Sequence, residues 1–501
     1  MKMDHHPAAS IPPDHAMTRK PVVRNPGRRA FLAGTATLPT LWLAGCGGTQ
    51  SDLPTAPPVG NPTPPPAMPL NGPRGLHVSL TGDAASSRAV TWFTDGHEAG
   101  PSLLEFDTVT PAMSASDIQI MPMAVQAEGS ADATPGVEAY THRASVEVLD
   151  PSLPFRYRVG DGESWSDVRV VQPTPSGNWR FTLFGDHGIT ERAALVNRQV
   201  LNTPTDLLLI AGDLSYANGN QPVWDQWFDS VEPLLSERVT MTAPGNHEEE
   251  DDGGNTFKNR FTHPGRNTFY SFDYNRVHFM VSTAGALIND GTLPEELLTI
   301  ETDLALAAAR RAAGEIDFIC VLQHFTIWTD QEGRAPANPS LVLLEENILV
   351  RYGVDVVLCG HDHVYQRSVP MAFGIPNPLG YVQMMVGTGG QSVRLFEPTI
   401  QSWSAKEFIG TGYAIFDVEG RAMRGQYIGT APTGLGDDVR QNPTDDFQVV
   451  DSFEIQAKDM IACRACALPP RNAQALLANY DATAAHTRRR NAHALALAHC
   501  A

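Results

Sequence analysis

The sequence predicts two folded domains, a small antiparallel β-sandwich followed by a larger α/β layered domain. Two observations carry this. From Gly75 to about Pro173, short β-type runs recur with turn residues between them, the pattern of a sandwich of short strands. After Asn178 the pattern changes to strand, Gly-rich turn and amphipathic helix, repeated several times, as in a chain that alternates between a sheet and its covering helices. At 501 residues the chain is also too long for one ordinary core.

Residues 1–45 read as an export signal. A basic patch (Arg19, Lys20, Arg24, Arg28, Arg29) gives way to an apolar run over 30–45, too short to span a bilayer comfortably. Arg28-Arg29-Ala30-Phe31-Leu32 resembles a twin-arginine signal, and Leu43-Ala44-Gly45-Cys46 resembles the lipobox of bacterial lipoproteins. The expected product is a periplasmic or cell-surface lipoprotein, cleaved before Cys46, lipidated on its thiol and touching membrane only through that anchor. Met17 is an alternative start, directly ahead of the twin arginines. Residues 46–73 hold Pro57-Pro58 and Pro64-Pro65-Pro66, so they form an extended spacer.

The sandwich is placed at 74–175, with strands at 77–80, 89–93, 144–149 and 155–159. The α/β domain is placed at 178–457, with strands at 180–184, 206–211, 239–243, 317–322, 354–359 and 381–386. Residues 294–313 read as a helix, acidic early and with Arg310-Arg311 late, which complements the helix dipole at both ends. Runs at 269–274 and 277–282 form a hairpin across Asn275-Arg276. From 458 to 501 an Ala, Arg and His mixture without an apolar face is expected to be disordered.

Six cysteines are present, five of them after Cys46, so a complete disulfide framework within one chain is impossible. Cys320 and Cys359 sit in apolar runs and read as buried thiols. Cys463 and Cys466 form a lone CxxC without the second pair a zinc site needs. The formal net charge of -20, with pI near 5.2, argues against a nucleic-acid binder, because that affinity comes from Lys and Arg neutralising phosphates.

The chemistry-bearing residues sit at strand ends. They are Gly185-Asp186-His187-Gly188, Gly212-Asp213-Leu214-Ser215-Tyr216, Gly245-Asn246-His247-Glu248, Val321-Leu322-Gln323-His324 and Gly360-His361-Asp362-His363. Loops at the carboxyl ends of strands in an open sheet share one edge, so five such loops can converge on one site. The glycines let the backbone turn sharply at each strand end. Glu248 to Asp252 form an acidic run, read as a solvated loop rather than a further metal site.

This set, in this order, resembles the purple acid phosphatase branch of the metallophosphoesterases, and Tyr216 is the residue that marks the branch. The resemblance implies a domain of two mixed sheets flanked by helices, preceded by a fibronectin III/Ig-like sandwich. It implies that Asp186, Asp213, Tyr216 and His363 hold ferric iron, and that Asp213, Asn246, His324 and His361 hold a divalent ion (zinc, iron or manganese). Asp213 would then bridge the pair. The donor types suit this division: carboxylate and phenolate oxygens favour a trivalent ion, imidazole and amide oxygen a divalent one. His247 resembles the family's histidine that contacts phosphate and protonates the leaving alkoxide.

One departure stands out. The family usually carries one or two phosphate-gripping histidines about ten residues beyond the position of His324, but residues 325–334 contain none. Arg334 could take that contact as a charged donor, or be a plain loop arginine. The leading expectation is hydrolysis of small phosphate monoesters. A phosphodiesterase acting on nucleotide or lipid diesters is the nearest alternative, and a noncatalytic surface-binding lipoprotein is the alternative of another class.

Overall fold

A computed structural model of the chain describes residues 72–284, 293–431 and 445–458. The export signal, Cys46, nearly all of the Pro-rich spacer, the CxxC pair and the tail beyond 458 lie outside the described residues.

Apolar five- and six-residue runs form the central strands because each is buried along its whole length. Leu207–Ala211, Val239–Ala243 and Phe318–Leu322 have no exposed residue, as expected for parallel strands covered on both faces. Ten strands make the first sheet and seven the second. In the first, Trp179–Phe184, Leu207–Ala211 and Val239–Ala243 run parallel in register, with Leu209 opposite both Leu183 and Met241. In the second, Val277–Val281, Phe318–Leu322, Val356–Cys359 and Val382–Val386 do the same.

The two sheets pack face to face. Leu183, Leu209, Met241, Phe279, Cys320, Leu358 and Met384 meet in one shared core, each large side chain stabilising by about 1.5–3 kcal/mol through burial. Helices cover the outer faces. Gln221–Leu235 sets Trp224, Trp227, Phe228 and Val231 against the first sheet. Leu293–Ala312 sets Ile300, Leu304 and Ala308 against the second. These layers make two mixed sheets flanked by helices, the arrangement expected for the α/β domain.

The N-terminal strands form two antiparallel sheets, but the sandwich does not stand apart. Its strand Arg74–Ser79 pairs in parallel with Val239–Ala243, Val78 opposite Val239, so one of its sheets continues the first sheet of the α/β domain. An open strand edge is thereby covered. Side chains fasten the same seam: Tyr157 Oη donates to Ser236 O at 2.7 Å, and Gly75 N donates to Glu232 Oε2 at 2.7 Å. The far edge of the α/β domain carries three antiparallel strands, Thr411–Glu419, Ala422–Thr430 and Gln448–Gln456, that the sequence reading did not place. Among the described residues no helix is long and apolar enough to cross a membrane.

Candidate metal centre

All five motif loops leave the carboxyl ends of strands at one edge of the two sheets. Asp186 follows Trp179–Phe184, Asp213 and Tyr216 follow Leu207–Ala211, and Asn246 and His247 follow Val239–Ala243. His324 follows Phe318–Leu322, and His361 and His363 follow Val356–Cys359. Backbone bonds extend the ladder past the strand ends, from Asp186 N to Gly212 O at 3.1 Å and from Gly360 N to His324 O at 3.0 Å.

The side chains gather into two clusters. In one, Tyr216 Oη lies 3.2 Å from Asp186 Oδ1 and 3.2 Å from His363 Nε2, which is itself 3.3 Å from Asp186 Oδ1. In the other, His324 Nε2 lies 3.2 Å from Asp213 Oδ2, 3.2 Å from Asn246 Oδ1 and 3.2 Å from His361 Nδ1. His361 Nδ1 is 3.0 Å from Asn246 Oδ1. His361 N also donates to Asp186 Oδ2 at 2.8 Å, tying the clusters together.

These spacings fit metal ions. Donors that share one ion at about 2.0–2.2 Å sit roughly 3–3.5 Å from one another. Supporting bonds aim the rings: His324 Nδ1 donates to Ala211 O at 2.8 Å and His363 Nδ1 to Ser392 O at 2.9 Å, which turns Nε2 of each toward its cluster. Burial opposes charge on His324, yet the Asp213 carboxylate outweighs it and lifts the imidazole to about 10. Burial also works against the Asp213 carboxylate, but His324 and His247 hold it well below the usual range. The pocket therefore draws positive charge to its centre, and its seven donors suit a binuclear metal centre.

The backbone of this site is strained. Asp186, Asp213, Tyr216 and His361 all have positive φ, 56°, 51°, 58° and 72°, a region that costs a non-glycine residue about 1–3 kcal/mol and is held where function requires it. The motif glycines have a second purpose beside turning the chain. A Cβ on Gly245 would stand 2.2 Å from Asp213 Oδ1, and one on Gly360 would stand 2.4 Å from Asp186 Oδ2. They clear room for the ligands themselves.

His247 belongs to neither cluster. Its Nδ1 donates to Asn218 Oδ1 at 2.7 Å, its ring packs 4.2 Å from the Tyr216 ring, and its Nε2 points to the site 3.8 Å from Asp213 Oδ2. Asn218 was missed in the sequence, although the turn signal Asn218-Gly219 marks it. His187, next to Asp186, turns away and accepts from Trp227 Nε1 at 3.0 Å.

The acidic run needs correcting. Glu249, Glu250 and Asp252 are exposed, but Glu248 and Asp251 are buried. Glu248 takes three backbone N–H bonds, from Asp213 and Gly245 at 2.8 Å and from Leu214 at 2.9 Å, and so clamps two ligand loops together. Asp251 accepts from Gln221 Nε2 at 2.6 Å and from Trp224 Nε1 at 2.5 Å. Buried carboxylates are tolerated because these donors satisfy them.

Arg334 meets the loop that carries His361 and His363. Its Nε lies 3.1 Å from Oδ1 of Asp362, the fully buried residue between His361 and His363. Cys320 and Cys359 are buried free thiols; burial pushes both above the ordinary thiol range, which makes them inert.

Comparison with known proteins agrees with this geometry. Residues 180–365 match the family model described as calcineurin-like phosphoesterase, and residues 73–172 match that of the purple acid phosphatase N-terminal domain. Purple acid phosphatase 22 of Arabidopsis thaliana is 29% identical over 262 residues, covering 50% of this chain and 58% of that protein, less than two thirds of its length. Acid phosphatase type 7 of Homo sapiens is 26% identical over 388 residues, covering 69% of this chain and 84% of that one. Among solved structures, a purple acid phosphatase from yellow lupin (Lupinus luteus) seeds superposes with TM-score 0.65 at 21% identity, covering 80% of this chain and 78% of that one. The fold is therefore shared.

Proposed function

The chain belongs to the purple acid phosphatase family, and from that premise we propose that it hydrolyses phosphate monoesters at a binuclear metal centre. The observation that carries the reading is the convergence of seven donors, from five strand-end loops, into two clusters with 3.0–3.3 Å spacings. Asp186, Tyr216 and His363 would hold one ion, Asn246, His324 and His361 the other, and Asp213 would bridge them. Two such ions supply Lewis-acid chemistry, acidifying water and neutralising phosphoryl oxygens.

The remaining steps fall to side chains. With Nδ1 committed to Asn218, His247 carries its transferable proton on Nε2, the atom that faces the site. That proton goes to the departing ester oxygen as the P–O bond breaks, which is general acid catalysis. Asp213 Oδ1 accepts from His247 N at 3.0 Å and fixes the start of the short helix Asn246–Glu249. Glu248 keeps the Asp213 and Asn246 loops in register through its three N–H bonds.

Diester hydrolysis is the second reading, favoured by the absence of a histidine in residues 325–334. Rates on an aryl monoester and on the matching bis-aryl diester separate the two. The monoester should be faster, and a diester preference would reverse the assignment. The Tyr216 hydroxyl, which donates to Asp186 Oδ1 at 3.2 Å, would give up its proton to a bound ion and offer a phenolate oxygen, a donor that suits ferric iron in the first cluster, while the imidazole and amide donors of the second suit zinc, iron(II) or manganese. A visible phenolate-to-iron absorption band in oxidised protein checks this; colourless protein with both sites filled would rule it out.

The N-terminal sandwich is read as fibronectin-type. The twin-arginine and lipobox patterns support export to the periplasm or cell surface, with Cys46 as the anchor. Membrane fractionation of Cys46→Ser against the unaltered protein tests that placement; equal solubility of the two would remove it.

A further inference from the structure

We propose that Arg334 grips the terminal phosphoryl oxygens of the substrate, and that Asp362 is the positioning residue that holds it over the metal centre. The inference rests on the phosphoesterase reading and adds to it the phosphate contact that residues 325–334 lack as histidine.

Arg334 is fixed at both backbone and side chain. Its turn closes through Arg334 N to Gln331 O at 3.1 Å, with Gly333 at φ 76°. Glu332 N donates to Leu395 O at 2.8 Å and Gly333 N to Glu397 Oε1 at 2.9 Å, fastening the turn to the neighbouring strand-like segment. Gln331 Oε1 accepts from His363 N at 3.1 Å, so the same turn is tied to the backbone of a ligand residue. Arg334 Nε then meets Asp362 Oδ1 at 3.1 Å. Two residues of one turn thus bond to two consecutive residues of the His361-Asp362-His363 loop.

A plain surface arginine would extend into water. This one has 28% of its side chain exposed and lies against the fully buried carboxylate of Asp362. The shortest approach to Asp362 is through Nε, and among the described residues Arg334 Nη1 and Nη2 donate no hydrogen bond, so the guanidinium fork is open to another partner. A guanidinium fork matches two terminal oxygens of a phosphate monoester, and charge-assisted pairs of this kind are among the strongest hydrogen bonds in proteins. A diester offers only one terminal anionic charge, so the same contact favours monoesters.

The competing explanation is that Arg334 merely neutralises a buried carboxylate. Inorganic phosphate, titrated calorimetrically into the metal-loaded full chain, separates the two, with KM, kcat and metal content measured alongside. Arg334→Ala should weaken phosphate binding by about 10–100-fold, the range for bonds to a charged group, and raise KM in step. Its kcat should change far less, its two ions should remain, and added guanidinium should restore part of the affinity. Asp362→Asn should give a smaller loss of the same kind. Phosphate affinity within about twofold of wild type in Arg334→Ala, with metals retained, would overturn the proposal.

Should Arg334→Ala lose metal or unfold, Arg334→Lys decides. Lysine still neutralises Asp362 but lacks the fork, so reduced phosphate affinity with full metal content supports the proposal, and wild-type affinity overturns it. An unaltered protein that binds two ions and phosphate but turns over no ester would remove the phosphoesterase reading while leaving this comparison intact.

Discussion

Asp213→Ala should lose more bound metal than any other single ligand substitution, and its turnover should fall by well over the roughly 10–100-fold that loss of a mere supporting residue causes. Asp213 is buried, held at φ 51°, with Oδ2 3.2 Å from His324 Nε2 and Oδ1 accepting from His247 N. Its charge acts on Tyr216 and His363 on one side and on His324 and His361 on the other. Removing it takes a donor from the second cluster, would take the proposed bridge from the first, and also frees the loop of His247. Asn246→Ala removes an oxygen from one cluster alone. Elemental analysis after dialysis should show a larger deficit for Asp213→Ala, with far-ultraviolet circular dichroism unchanged. Equal deficits would contradict the bridging role.

His247→Ala should separate substrates by their leaving groups. An alkoxide needs a proton as it departs, whereas a stabilised phenolate hardly does, so loss of a general acid slows the first by on the order of a hundredfold or more and comparatively spares the second. His247 lies outside both donor clusters, so metal content should not change. Asn218→Ala should reproduce part of the pattern by releasing Nδ1. A uniform loss across alkyl and aryl esters would mean that His247 binds phosphate or supports the ligands instead.

The strands that deliver the site were legible because short apolar runs bounded by glycine admit few other readings. The hairpin turned at Asn275, which takes φ 53°, and Leu293–Ala312 formed the helix its charge pattern implied. The three edge strands were not legible. Thr411–Glu419 pairs with Trp179–Phe184, more than two hundred residues away, and no local pattern reports such a partner. The acidic run was misread because charge alone suggests water, whereas Glu248 owes its burial to three backbone donors supplied by other loops.

Within the site, the residue types were readable and the strain was not. Nothing in the sequence marks Asp186 or His361 as left-handed, since even Asp and His, which enter that region more readily than most non-glycine residues, do so at only a small share of positions. The glycines were read as hinges, yet Gly245 and Gly360 matter for the space their missing side chains leave to Asp213 and Asp186. Arg334 was open to two readings in the sequence, which could not show that its turn is tied to the loop of His361 and His363.

The central claim is that two ions, held by these five loops, make the active site. Metal-stripped protein, titrated with metal while phosphomonoester turnover is followed, tests it most directly. Activity should rise until two equivalents per chain are bound and then level off. A plateau at one equivalent, or full turnover in the stripped protein, would contradict the account.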